Sequence, residues 1–249
     1  MDWTHPIAGA SRRLARAVPF RPFRLQLDRP VVSFTFDDFP VSAARHAAPQ
    51  LEAMGARGSF YFADGLAGGS ENGQPIASLE LAGELAARGH EIGGHTHAHR
   101  NVQRTAPAHL IADMGVNISA ITTLSGRVPA SFAYPFGVVS LNAKRLLAPL
   151  FAGLRGIQPG INRGWIDLAH LRAEELYDTT LDMARLDGLL DDLMAGGGWL
   201  IFYTHDVRED PSSIGCSPVH FGRVLGRVAA RGFAIRTVAD TLAQIGAAR

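Results

Sequence analysis

The chain has 249 residues, 47% of them hydrophobic, enough to bury a core of full domain size. Its 24 Lys and Arg balance 23 Asp and Glu for a net charge of +1, which leaves no electrostatic footprint for nucleic acid or an acidic surface. A single cysteine, Cys216, excludes an internal disulfide framework and fits a reducing compartment.

Residues 1–29 read as a lead-in segment with a short basic amphipathic helix around 11–18, its arginines expected in solvent rather than on a membrane. No apolar run there has the length of a secretory signal, and no stretch reaches the ~18 apolar residues of a membrane span. A cytoplasmic chain without a membrane span is the expectation. Residues 30–249 are expected to form one catalytic domain, since no repeat, low-complexity tract or linker interrupts them. Oligomeric state has no signature in the sequence.

From Pro30 onward short apolar runs alternate with helical patterns. VVSFTF (31–36) is a strand by its β-branched and aromatic content, a helical stretch follows to about Met54, and GSFYFA (58–63) is a second strand. Leu79 to Arg88 has helical spacing, EIG (91–93) is a brief strand, and Pro107 opens a helix to about Leu124 from a favoured first-turn position. SFAYPF (131–136) is a strand ending in a turn. Helices are expected over 142–150, 181–194, 219–230 and 238–245, with strands at WLIFYT (199–204) and FAIR (233–236). Strands separated by helices indicate parallel β/α units.

In such folds reactive groups collect where strands end. Asp37 and Asp38 follow VVSFTF, HTHAH (95–99) follows EIG, Tyr134-Pro135-Phe136-Gly137 ends the SFA run, and His205-Asp206 ends WLIFYT. His95 and His99, four apart, share a face on a helical turn, which the preceding Gly93-Gly94 favours; His97 is then a bystander or a supporting group. Thr96 stands where a helical metalloprotease motif has glutamate, against that class. Asp37 or Asp38 completes a site of two histidines and one carboxylate, the donor set of a catalytic zinc or similar ion. Successive strand residues point to opposite sides, so one aspartate can bind metal while the other acts as base on a water whose pKa the ion lowers toward ~7. Alone, the aspartate pair could equally be a helix cap or turn, and the histidine cluster a solvated loop.

The ordered motifs TFDD (35–38), HTHAH (95–99), AYPFG (133–137) and YTHD (203–206), within a span from about Val31 to Val238, resemble those of the polysaccharide deacetylases, the NodB-homology or carbohydrate esterase family 4 enzymes. That resemblance implies an α/β fold, a distorted (β/α) barrel of parallel strands with outer helices and fewer than eight regular units. It implies Asp37 as general base, Asp38, His95 and His99 as ligands of a divalent metal, and His205 as the acid that protonates the leaving amine. The backbone N–H of Phe136 takes the oxyanion-stabilising position. The family's arginine two residues before the motif proline is absent, Ala133 standing there; Arg163 and Arg172 are candidate replacements. The aspartate-tryptophan motif is best matched within INRGWIDLAHL (161–171), so Tyr134, Pro135, Trp165 and Asp167 are expected to shape the sugar pocket.

The expected activity is metal-dependent removal of N-acetyl groups from an amino sugar in a glycan or glycoconjugate, with zinc the first choice of ion. Cleavage of O-acetyl esters, cleavage of a cyclic amide, and glycan binding without catalysis are the alternatives. His46, His90, His109, His170 and His220 are expected to be structural or solvated, Tyr61 and Phe62 to pack in the barrel, and VREDPSSIGCSP (207–218) to form a wall or lid. Cys216 has no activating partner in the sequence and is not expected to be a nucleophile.

Overall fold

In the computed structural model residues 6–247 are described; the outermost residues of the lead-in (1–5) and of the domain (248–249) lie outside them. After helix α1 (Pro6–Ala17) come β1 (Pro22–Arg24), β2 (Val31–Phe36), α2 (Val41–His46), α3 (Ala48–Ala53) and β3 (Ser59–Phe62). A two-stranded hairpin, β4 (Ser70–Glu71) and β5 (Gln74–Pro75), precedes α4 (Leu79–Ala87) and β6 (Glu91–Gly94). Next are α5 (Pro107–Ser125), β7 (Ser131–Ala133), α6 (Leu141–Leu147), β8 (Gly153–Arg155), β9 (Trp165–Asp167) and β10 (Glu174–Glu175). The chain closes with α7 (Met183–Gly196), β11 (Trp199–Thr204), α8 (Pro218–Ala230), β12 (Ala234–Ile235) and α9 (Val238–Gln244).

The main sheet runs β10-β11-β2-β3-β6-β7-β8, with every pair parallel, and β12 joins the start of β2 at Val31 and Val32. It curls into a half-barrel flanked by helices. A single parallel bridge from Arg155 to Leu171, just before β10, links the far edge of the sheet back toward the near one. The expected barrel of parallel strands is therefore present, with irregular closure on one side.

β2 is buried along its whole length, as a central parallel strand must be. Its period of two sorts side chains between layers. Val32, Phe34 and Phe36 pack toward the helices with Leu51, Phe221 and Leu225. Val31 joins Trp199, Ile201 and Leu171 in a second cluster, where Ser33 accepts a hydrogen bond from Trp199 Nε1 at 2.9 Å. Phe36 stacks on Phe60 at 4.6 Å between ring centres. Each such fully buried aromatic or aliphatic side chain contributes ~1.5–3 kcal/mol.

Several boundaries differ from expectation for physical reasons. The helical stretch before Met54 is two short helices, α2 and α3, that meet at Ala47, the second with Pro49 in its first turn. The SFAYPF run stops pairing at Ala133 and turns through a single 3-10 turn, because Phe136 adopts φ 59°. Gly93 and Gly94 belong to strand β6 rather than to a turn: a Cβ on Gly93 would stand 2.5 Å from Tyr61 Cε1, and one on Gly94 3.0 Å from Phe151 Cζ. The β4–β5 hairpin was not anticipated, although Asn72-Gly73, at φ 50° and 75°, is the dipeptide that a type I′ turn demands.

Candidate active site

β2, β6, β7 and β11 end at one rim, and the four motif segments meet there. The chain leaves β2 through a left-handed turn, Asp38 at φ 61° and Phe39 at φ 58°. Thr96 (φ 60°), His99 (φ 46°) and Phe136 (φ 59°) are likewise left-handed, so five of the six non-glycine residues of positive φ among those described belong to these segments. Left-handed non-glycine residues cost free energy and cluster where geometry is over-determined for function. This turn, rather than strand alternation, sends Asp37 and Asp38 to different partners.

Asp38, His95 and His99 form the candidate metal centre. Asp38 Oδ1 lies 3.2 Å from His95 Nε2 and 3.1 Å from His99 Nε2, all three residues buried. His95 Nδ1 is 2.8 Å from the carbonyl of Ala133, which can only accept, so Nδ1 carries the proton. By the same logic the 3.2 Å contact of His99 Nδ1 with Glu71 Oε1 places its proton on Nδ1. Both Nε2 lone pairs then point at a carboxylate oxygen that is buried without a hydrogen-bond partner. Three converging lone pairs repel unless a cation sits among them, and this donor set fits a divalent ion. Burial lowers the His99 pKa, toward the neutral ligand form. Burial opposes the Asp38 charge; a protonated imidazole beside it, His95 foremost, holds its carboxyl well below the usual range, the role a cation takes over when both imidazoles are neutral.

The expected helical turn at HTHAH is instead a loop with two left-handed residues, and it still brings His95 and His99 together. Asn117 and Asp113 of α5 accept from the backbone N–H of His95 and His97 at 3.1 and 2.7 Å. His97 turns away to Asp64 at 2.8 Å, and Asn117 Nδ2 donates to the same carboxylate. His97 therefore latches the loop.

Asp37 is held by a residue the sequence left unidentified. Arg155 Nη2, wholly buried, donates to Asp37 Oδ1 at 2.5 Å and Oδ2 at 2.6 Å. Its guanidinium lies between the rings of Tyr61 and Tyr203, at 5.3 and 5.1 Å from their centres. Arg155 is the parallel-pair partner of Ala133, so the arginine missing from the motif sits at the matching height on the next strand. Neither candidate replacement reaches the site: Arg163 pairs with Asp192 and Arg172 donates to the Pro159 carbonyl. The signal in the sequence was an arginine ending the short apolar run FAGLR (151–155).

His205 completes the cluster. Its Nδ1 donates to the Ile214 carbonyl at 3.2 Å, leaving Nε2 4.0 Å from Asp38 Oδ2. Asp206, fully buried, accepts from Ser212 Oγ and Ser212 N, which shapes the loop behind His205. That loop is the expected wall: Ser212, Ser213 and Ile214 face Glu71, Asn72 and Gln74 across a cavity of about 360 Å³ that reaches Asp38 and His205. The Phe136 ring lies tilted against that of His99, 4.4 Å between ring centres, which packs its turn against the cluster.

The four expected pocket residues are placed elsewhere. Tyr134 is buried with its hydroxyl donating to Ala169, and Pro135 is buried with it, because the turn after β7 points both into the core. Asp167 accepts from Lys144 Nζ at 2.7 Å and from the backbone N–H of Arg21 and Ala169 at 2.8 and 3.0 Å, tying the lead-in to α6. Trp165 is 74% exposed on β9, which pairs with β1, and both Trp165 and Asp167 border a cleft that contains no metal-centre residue.

Among the remaining histidines, His90 is structural, as expected. His90 accepts from Gly58 N–H at 3.0 Å and lies 2.8 Å from Glu52. Burial pushes the Cys216 thiol pKa far up, so it stays protonated and inert.

A family model described as polysaccharide deacetylase matches residues 24–151. A chitin deacetylase from Pestalotiopsis sp is 25% identical over 214 residues, 80% of this chain and 64% of the relative, so the chain spans less than two thirds of that protein. Among solved structures, a family 4 acetyl xylan esterase from Clostridium thermocellum in complex with a cobalt ion superimposes with a TM-score of 0.61 at 19% identity, over 87% of this chain and 92% of the other. The chitin deacetylase from the fungal pathogen Colletotrichum lindemuthianum gives 0.60 at 18% identity, over 87% and 89%. At these identities the structural likeness establishes the fold.

Proposed function

The chain belongs to the polysaccharide deacetylase family, and from that premise we propose that it is a metal-dependent hydrolase releasing acetate from N-acetylated amino sugars of a glycan or glycoconjugate. The observation that carries this reading is the convergence of Asp38, His95 and His99 lone pairs beside an arginine-held Asp37. The name of the 25%-identical chitin deacetylase supports an N-acetyl sugar as the substrate class.

Amide hydrolysis needs an activated water, a stabilised tetrahedral oxyanion and a proton for the amine. A divalent ion, zinc by its fit to two imidazoles and a carboxylate, supplies Lewis acidity when bound to Asp38, His95 and His99. Asp37, fixed in one rotamer by Arg155, takes the proton of the attacking water. The N–H of Phe136 donates to the developing oxyanion. His205, its Nδ1–H engaged by Ile214, presents Nε2 to the pocket and, as the imidazolium, gives the Nε2 proton to the departing nitrogen. The cavity beside it is within the size range of small-ligand sites.

The test is acetate release from a panel of N-acetylated sugars and oligosaccharides, with and without a strong chelator and then with zinc restored. Release that stops on chelation and returns with zinc is expected. Release from O-acetylated xylan alone would move the activity to esters, which the fold likeness to an acetyl xylan esterase keeps as the second reading. No release from either class, despite bound metal, would reject both.

A further inference from the structure

We propose that Glu71, on the hairpin β4–β5, is the positioning residue of His99: it fixes the ring so that Nε2 meets the metal, and ties metal affinity to one wall of the substrate pocket. This rests on the reading of Asp38, His95 and His99 as a metal centre.

Both ligand imidazoles need an acceptor for Nδ1–H. His95 has the backbone carbonyl of Ala133, which no side-chain change can remove. His99 has Glu71 Oε1 at 3.2 Å, a carboxylate brought from a separate element 28 residues earlier. A carboxylate in that position selects the Nδ1–H tautomer and makes Nε2 a better donor to the ion. The left-handed backbone of His99, at φ 46°, and the contact of its ring with Phe136 place the side chain, but neither selects which ring nitrogen carries the proton.

The hairpin is built to hold this contact. Its Asn72-Gly73 turn sets the Glu71–Gln74 register. Its base is hydrogen-bonded to the turn that carries Asp38: Ala77 N–H donates to the Phe39 carbonyl at 3.0 Å, and Pro40 bridges Ile76. Asp38 and the partner of His99 thus belong to one bonded unit. Glu71, Asn72 and Gln74 also line the 360 Å³ cavity, so the residue that orients a ligand is part of the wall a sugar touches.

The test is zinc affinity of the full chain, measured by competition with a chromophoric chelator, for wild type, Glu71→Ala, Glu71→Gln and Ser70→Ala, with thermal melts of each apo protein. Glu71→Ala is expected to weaken zinc binding about 10–100-fold while its apo melt is unchanged. Glu71→Gln keeps an acceptor oxygen but not the charge and is expected to fall between it and wild type. Ser70→Ala, an exposed neighbour on the same strand, is expected to bind as wild type does. Wild-type affinity in both Glu71 variants overturns the proposal and leaves the metal centre intact, provided Asp38→Ala still abolishes binding. Failure of the wild type to bind zinc, cobalt or manganese overturns the metal reading itself, and this proposal with it.

Discussion

Arg155 Nη2 touches both carboxylate oxygens of Asp37, at 2.5 and 2.6 Å, across 118 residues of chain. The pair is buried, and two tyrosine rings cover the guanidinium. Removing one partner of such a pair strands the other without water. Arg155→Met is expected to destabilise the fold by about 3–5 kcal/mol. Made in an Asp37→Asn background, the same change should cost less, because no carboxylate is left unpaired. Urea unfolding of the single and double variants measures both values, and purely additive costs would contradict the coupling.

Metal content and activity should fall together in Asp38→Ala and His99→Ala, since each removes one of the three proposed ligands. Elemental analysis after dialysis against zinc is the check. Full occupancy in both variants would show that the ion is held elsewhere.

Asp37→Asn should behave differently. Its side chain faces Arg155, not the imidazoles, so metal content should stay at the wild-type level while kcat falls by about two to four orders of magnitude. Retained turnover would place the base at another residue.

Acid stability should carry the mark of His170. Burial first, then the charge of Lys144, lowers its pKa from 6.5 to about 3 in the fold. Above pH 6.5 both folded and unfolded states are neutral there and His170 has no effect. Between 6.5 and 3 only the unfolded state takes the proton, so stability falls as pH falls, by about 1.4 kcal/mol per pH unit. His170→Gln should therefore lose about 2 kcal/mol less than wild type between pH 7.5 and 5, measured by urea midpoints in chelator. Equal losses would mean the imidazole is protonated in the native state.

Gly93→Ala tests how strand packing reaches the site. The new Cβ would stand 2.5 Å from Tyr61, whose ring covers Arg155. A stability loss of about 1–3 kcal/mol is expected from the overpacking, with a lower kcat because Arg155 shifts against Asp37. Thermal melts and steady-state kinetics decide it, and an unchanged kcat would separate Tyr61 from the site.

Much of the site was legible because it is written locally. Asp37 and Asp38 directly follow a strand whose β-branched and aromatic residues announce it, and His95 and His99 sit in five consecutive residues after another. Where local patterns are thin, the supporting residues leave little mark in the sequence. β8 is three residues long and gave no periodicity from which to find Arg155. Glu71 lies on a two-residue strand, visible only through its Asn-Gly turn. Tyr134 and Asp167 look like pocket residues by neighbourhood in the chain, yet one faces the core and the other is consumed by Lys144.

The parallel β/α architecture and the candidate site's two histidines and aspartate pair could be read from local sequence, because apolar periodicity and residues at strand ends act over a few positions of chain; which aspartate joins the histidines came only with the family resemblance. What supports these residues became visible in the folded chain alone. Parallel pairing sets Arg155 beside Ala133, and a hairpin docked on Phe39 brings Glu71 to His99. Both depend on register between strands, which is set by packing across the whole sheet and leaves no local trace in the residues it joins.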